Sequence, residues 1–321
     1  MRIIVTGGNS GVGKATATAL AEAGHSVVIA CRSMDKAHRA AAEMRGDVTV
    51  CHLDLADLSS VRRFADSVDS VDVLINNAGV LGLPLTRTVD GFEAHMGTNH
   101  LGHFALTCLL GERITDRVVC VSSAMYVFGR LHLDDLNWHG RRYWKWAAYT
   151  QSKLANLLFV GELARRGVRA YASDPGAADT DITRDSTGAL GWLGRHKPNG
   201  RLLFYMQTPA AGARATIEAV DTDLPSGSYL APRFNQWGAP KDVVPHYKAR
   251  DPDMASRLWD LSADLTGCDW VGSMKGISAW TKVMRPPALE VIDKGTTRHD
   301  HPAPLLFVHD GCHSAWCSVL T

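Results

Sequence analysis

Tyr149 and Lys153 stand four residues apart in the stretch "YTQSKLANLLF", whose apolar residues continue at helical spacing. Four residues along a helix bring two side chains onto one face. A free phenol titrates at about 10, too high to act as a base at neutral pH. An ammonium beside it favours the phenolate and lowers that value, so such a pair can pass a proton to or from a substrate oxygen. A tyrosine and a lysine at this spacing also arise by chance, so the pair draws its meaning from its company.

That company begins near the N-terminus with "TGGNSGVGK", Thr6 to Lys14, between a β-branched run and a helical pattern. Gly7, Gly11 and Gly13 give the spacing G-x-x-x-G-x-G. Small residues let backbone N–H groups approach a pyrophosphate, and a helix N-terminus favours its charge. The placement between strand and helix points to a dinucleotide rather than a bare tight turn. The same residues nearly match the G-x-x-x-x-G-K-[ST] loop of nucleoside triphosphatases. Ala15 stands where that loop needs a hydroxyl for Mg²⁺, which argues against the match. Farther on, the second strand ends in Ala30-Cys31-Arg32. An acid there would hydrogen-bond the ribose 2′-hydroxyl of NAD, whereas an arginine accommodates a 2′-phosphate. Arg32 thus makes NADP (NADPH) the expected cofactor and NAD the alternative. Lys14 and Arg39 are the other basic residues that could read the phosphate.

The elements that must position these groups follow from the hydrophobic pattern. Strands are expected at Arg2–Thr6, Ser26–Cys31, Val48–His52, Asp72–Asn76, Arg117–Ser122 and Val168–Ser173. Amphipathic segments such as Lys14–Ala23, Met34–Met44 and Ser59–Val68 lie between them. Parallel strands need crossover helices, so the alternation predicts an α/β fold of Rossmann type. In it a doubly wound parallel sheet carries helices on both faces. Ligands of such sheets bind beyond the carboxyl ends of the strands. From Thr180 to Gln207 the pattern loosens as a substrate loop or lid would. A helix at Pro209–Val220, a strand at Ser228–Ala231 and a helix at Pro252–Leu265 close the domain.

Composition narrows the partners. A net charge of +1 over 321 residues argues against nucleic acid or an anionic membrane surface. No run approaches the length of a transmembrane anchor, and Met1-Arg2 leads straight into a strand without a secretory signal. The seven cysteines are odd in number and scattered through apolar runs. That fits reduced thiols in a cytoplasmic protein.

With the motifs in order, the sequence resembles the short-chain dehydrogenase/reductase family from Thr6 to about Gly267. The matching residues are Thr6-Gly7-Gly8-Asn9-Ser10-Gly11-Val12-Gly13, Asp54-Leu55, Asn76-Asn77-Ala78-Gly79, Asn99, Val121-Ser122-Ser123, Tyr149-x-x-x-Lys153, and Pro175-Gly176 followed by Thr180. The resemblance implies Tyr149 as general acid/base and Lys153 on the nicotinamide ribose, where it depresses the tyrosine pKa. It implies Ser123 on the substrate carbonyl and Asn99 ordering a water of the proton relay. Ser122 is adjacent to Ser123, and only alternation along the strand separates them. Asp54 would face the adenine, Asn77 and Ala78 the adenine ribose, and Thr180 the carboxamide. "NHLGHF", "SKLANLLF" and the long insert Ala124–Ala148 look most like the retinol dehydrogenase and protochlorophyllide reductase-like branch. A bulky apolar carbonyl or alcohol is the substrate class this implies, and a homo-oligomer is left open. Trp138, Tyr143, Trp144 and Trp146 could line such a site or simply pack. Asp174, before Pro175-Gly176, departs from many members without an evident consequence.

Other readings are weaker. A non-catalytic dinucleotide sensor on the same fold has no need of an intact Ser123, Tyr149 and Lys153. A nucleotide-sugar epimerase normally spaces its glycines differently. His95, His100 and His103 read as surface and core contacts of the helix carrying Asn99. His309, Cys312, His313 and Cys317 fit no closed zinc pattern, so no metal is expected. Residues 268–321 form a C-terminal extension after the 1–267 domain, and "PLLFVHDGCHSAWC" resembles the start of an α/β-hydrolase domain. No G-x-S-x-G elbow follows, so a remnant of such a domain is expected.

Overall fold

A computed structural model of the chain describes residues 1–178, 207–234 and 236–270. All of them fall in the first of two compact units, Met1–Trp280. Thr180, the expected lid and the hydrolase-like tail lie outside the described residues.

Eight strands form one sheet in the order β3-β2-β1-β4-β5-β6-β7-β8. They are β1 (Arg2–Thr6), β2 (Ser26–Cys31), β3 (Val48–His52), β4 (Val71–Asn76), β5 (Ile114–Val121), β6 (Ala170–Ser173), β7 (Tyr229–Pro232) and β8 (Pro240–Asp242). Every pairing is parallel except β7 with β8. The first three expected strands have the expected bounds. β5 starts three residues earlier than expected, because Ile114 still finds Val71 across a register irregularity. The antiparallel β8, three residues long with two of them charged, carries no periodicity that a sequence could reveal.

The strands read as continuous apolar runs because both faces are buried, as in other parallel sheets. On one face Ile4, Val28, Ala30, Val118 and Cys120 meet Val61, Phe64, Phe104, Leu154, Phe159 and Trp259. On the other, Ile3, Val5, Val27, Ile29 and Val119 meet Ala17, Leu20, Ala37, Ala40, Ala215 and Ala219. Helices α1 (Gly11–Glu22), α2 (Met34–Ala42) and α7 (Pro209–Asp221) thus cover one layer. Helices α3 (Leu58–Asp66), α5 (Gly102–Leu110), α6 (Lys145–Arg165) and α8 (Pro252–Thr266) cover the other.

Local chemistry sets the helix ends. Asp57 caps α3 by accepting from Ser59 N–H. Asp251 caps α8, Pro252 fills its first position and Gly267 closes it in the left-handed region, at φ 61°. Cys268 is buried in the core, Trp270 packs against it, and Asp269 accepts from Trp259 Nε1 at 2.9 Å. The chain therefore stays packed past Gly267.

Candidate active site

α6 carries Tyr149 and Lys153. Its sequence has no proline and a single glycine, and it is buried nearly all round, so it lies in the core against the carboxyl end of β5. Both side chains are buried. Lys153 Nζ donates to the Val121 carbonyl at 3.0 Å and lies 5.9 Å from the centroid of the Tyr149 ring. Ser123 hydrogen-bonds the Tyr149 phenol. Ser122 points the other way, donating to the Lys153 carbonyl at 2.9 Å. Alternation along extended backbone thus brings Ser123, not Ser122, to the phenol.

Burial dominates the ionisation of this group. It pushes Tyr149 up to about 12; the Ser123 hydrogen bond opposes the rise and the Asp174 charge adds to it. It brings Lys153 down to about 8 against the charges of Asp174 and Cys120. The lysine was expected to hold the phenol below its ordinary value. In the structure burial dominates the phenol, and the ammonium is bonded to the Val121 carbonyl and feels the Asp174 charge.

Asn99 sits in a π-helical turn, Gly97–Leu101, between the short α4 (Ala94–Met96) and α5. Such turns often mark functional sites. Its carboxamide accepts from Val80 N–H at 2.8 Å and donates to Val80 O at 3.1 Å and Ser152 Oγ at 2.9 Å. Both amide hydrogens are therefore committed to joining the turn after β4 to α6. Any water it orders must use its remaining lone pairs.

The glycine loop lies at the carboxyl end of β1. Gly7 and Gly11 have φ of 67° and 54°, where a β-carbon is strained. A β-carbon on Gly13 would lie 2.3 Å from Asn77 Nδ2 and 2.5 Å from Gly7 O. Asn77 Nδ2 in turn donates to Thr6 O at 2.7 Å. The Thr6 hydroxyl is fully buried and accepts from the N–H groups of Asn77 and Ala78 at 2.9 and 3.0 Å. It also meets His103 Nε2 at 2.9 Å. His103 Nδ1 faces the Asn99 carbonyl at 3.1 Å, so Nδ1 carries the hydrogen and Nε2 accepts from Thr6. Thr6 is thus a bracket between the glycine loop and the Asn77–Gly79 turn.

The residues present fit a dinucleotide. Ser10, the N-cap of α1, makes no side-chain cap bond, so the helix keeps first-turn N–H groups for an anion. The amides of Gly7, Gly8 and Asn9 face the Cys31 thiol, which places the end of β2 against the loop. Arg32 follows, exposed and without a hydrogen bond or ion pair to the described residues, whereas Lys14 is paired with Glu43. Val12 is buried under the loop. Asp54 is half-buried and accepts from Ala56 N–H, while the Leu55 side chain belongs to the core. Gly79 faces Asn99 and Lys153; its β-carbon would lie 3.2 Å from Asn99 Oδ1 and 3.7 Å from Lys153 Nζ. Pro175 and Gly176 turn the chain after β6 with Gly176 at φ 63°.

Known proteins resemble this chain in sequence and in fold. A family described as short chain dehydrogenase matches residues 1–133. Human retinol dehydrogenase 13 is 41% identical over 83% of this chain and 85% of its own. Mouse retinol dehydrogenase 12 is 40% identical over 84% and 87%. The chain belongs to the short-chain dehydrogenase/reductase family. Its likeness is to the retinol dehydrogenase branch, and it is an NAD(P)-dependent oxidoreductase acting on alcohol or carbonyl groups. A crystal structure of an uncharacterised protein from Mycobacterium paratuberculosis superposes with a TM-score of 0.72 at 46% identity, covering 84% of this chain and 95% of the other.

Against this short-chain dehydrogenase frame, several residues have roles that the sequence reading missed. His95, His100 and His103 are all buried, none on a helix surface. His95 Nδ1 and Tyr143 Oη converge on the buried Glu93 carboxylate at 2.7 and 2.9 Å, pinning the insert beside the site. In the insert Trp138 is buried under Arg141 and against Tyr143, while Trp144 is exposed. Asp174 is buried, and its charge acts on both Tyr149 and Lys153. Its carboxylate binds Gly176 N–H and Tyr229 Oη, each at 2.8 Å. No helix among the described residues is long and apolar enough to cross a membrane.

Proposed function

We propose that the protein is an NADP(H)-preferring dehydrogenase/reductase of bulky apolar alcohols and carbonyls, with Tyr149 as general acid/base. The observation that carries this reading is the Ser123–Tyr149 hydrogen bond beside the buried Lys153, at the carboxyl end of β5. The nicotinamide, when bound, supplies or accepts the hydride at the carbonyl carbon. Ser123 and Tyr149 donate hydrogen bonds to the substrate oxygen as negative charge develops there. Tyr149 then gives that oxygen its proton in reduction, or takes it in oxidation. A phenol pushed up to about 12 is protonated at neutral pH, which suits it to the acid role. Lys153 holds the nicotinamide ribose and Asn99 positions α6 through Ser152.

The glycine loop with Asn9, Ser10 and Val12 holds the pyrophosphate. Asp54, Leu55, Asn77, Ala78 and Gly79 line the adenosine side, and Pro175, Gly176 and Thr180 the nicotinamide side. Arg32, without a hydrogen bond or ion pair among the described residues, reads a 2′-phosphate. Relatives about 40% identical are retinol dehydrogenases, so long apolar alcohols and aldehydes form the substrate class. Five free cysteines among the described residues agree with a reducing, cytoplasmic setting. We read the chain beyond Trp270 as part of a C-terminal extension whose segment 304–317 resembles the start of an α/β-hydrolase domain.

A spectrophotometric screen of apolar aldehydes, ketones and alcohols with NADPH, NADH and their oxidised forms tests the reading. Turnover with a lower KM for NADP(H) is expected. An absence of turnover with every pair would contradict it.

A further inference from the structure

Asp174 directly follows β6, with 1% of its surface exposed. A carboxylate withdrawn from water needs donors or a counter-charge in its place. Three donors supply it: Gly176 N–H on Oδ1 and Tyr229 O–H on Oδ2, each at 2.8 Å, and the Ala124 N–H. Burial raises the Asp174 carboxyl above its ordinary value, and these three donors and the Lys153 charge oppose that rise and favour the anion. They come from different parts of the site. Ala124 directly follows Ser123, Gly176 turns the chain on the nicotinamide side, and Tyr229 belongs to β7. The Asp174 charge also acts on Tyr149 and Lys153 of α6.

We propose that Asp174 is a positioning residue for Ser123, Tyr149 and Lys153, a buried anion that fixes the loops flanking them and serves as counter-charge to the Lys153 ammonium. The proposal rests on the reading of Tyr149 as the acid/base.

The other groups facing this cluster do not substitute for that charge. From β5, burial pushes the Cys120 thiol up to about 12. Burial also raises Tyr126, which lies after Ser123, and Tyr229 on β7, so these stay neutral at neutral pH. From α5, burial brings His103 down to about 4, also neutral. His95 stacks its edge 6.3 Å from Tyr149 and is bound to Glu93, while Arg250 and His246 act on Tyr126. An anion raises the pKa of both an ammonium and a phenol. Removing it must let Tyr149 and Lys153, titrating as a coupled pair, lose protons at lower pH.

The test is the pH profile of kcat/KM for alcohol oxidation in wild type and Asp174→Asn, which keeps the shape and removes the charge. The acid limb should move down by about one pH unit. A limb that stays in place, whatever happens to kcat, would overturn the proposal, because a merely structural aspartate lowers the rate without moving the limb. If Asp174→Asn does not fold, Tyr229→Phe withdraws one donor from the anion. Losing that donor lets burial raise the Asp174 carboxyl further and so favours its neutral form, which should shift the limb less but in the same direction; an unmoved limb overturns the proposal equally. Wild-type protein inactive on every alcohol would count against the acid/base reading instead. Spectrophotometric titration of tyrosinate then still reads the charge. A phenol that ionises at lower pH in Asp174→Asn and is missing from Asp174→Asn/Tyr149→Phe supports the proposal, and superimposable wild-type and Asp174→Asn curves overturn it.

Discussion

Tyr149 rests as an acid, and the residues around it explain why. Burial outweighs the Ser123 hydrogen bond, and the Lys153 ammonium is engaged with Val121 O. Lys153→Met should therefore lower kcat and also weaken cofactor binding by about tenfold or more. The reason is that it removes a buried charge-assisted donor beside Gly79. Fluorescence titration with NADPH measures this, and unchanged affinity would contradict the ribose role. Arg32→Asp should reverse the cofactor preference by placing a like charge beside the 2′-phosphate. Steady-state kinetics with both cofactors check it; an unchanged ratio would shift the reading to Lys14 or Arg39. Tyr149, Lys153, Ser123 and the glycines were legible in the sequence because their meaning lies in local spacing. Asp174 and His103 were not, because their partners are remote: Tyr229 is 55 residues from Asp174, and Thr6 is 97 from His103.

At the scale of elements, the glycine loop and the Asn99 helix are interlocked rather than merely adjacent. Gly13→Ala would drive a methyl group into Asn77 and the Gly7 carbonyl, prying the loop from the turn after β4. A loss of about 1–3 kcal/mol in unfolding free energy is expected together with weakened cofactor binding. Denaturant unfolding with and without NADPH measures both. Two buried histidines, His100 in the π turn and His103 in α5, make the fold sensitive to acid. Burial brings His100 down to about 3 and His103 down to about 4. Their folded pKa values lie below the unfolded value of about 6.5, so the unfolded chain binds more protons as pH falls. Their contribution is present above pH of about 6.5 and is lost towards about 4, at up to about 2.7 kcal/mol per pH unit for two protons. Thermal melting across that window should show this slope in wild type and a flatter one in the His100→Gln/His103→Gln variant. Equal slopes would contradict it. Helices and strands of the parallel core were readable from periodicity and capping residues. The π turn at Gly97–Leu101 was not, since its extra residue is imposed by the contacts of Asn99 on both sides.

At the scale of the whole molecule, the sheet brings the ends of β1, β4, β5 and β6 together, so that groups spread from Thr6 to Gly176 form one site. The last described residues belong to this unit. A chain ending at Trp270 should fold, bind cofactor and turn over as the full protein does. One ending at Gly267 should melt lower, because Trp259 Nε1 loses Asp269 and the core loses Cys268. Loss of activity in the longer of the two would show that the tail completes the site. The claim on which everything else depends is that Tyr149 transfers the proton. Kinetics of Tyr149→Phe, paired with NADPH titration of the same variant, test it most directly. The account predicts a kcat lowered by about 10²–10⁴-fold with cofactor affinity largely intact. A variant that keeps more than about a tenth of wild-type kcat would contradict it.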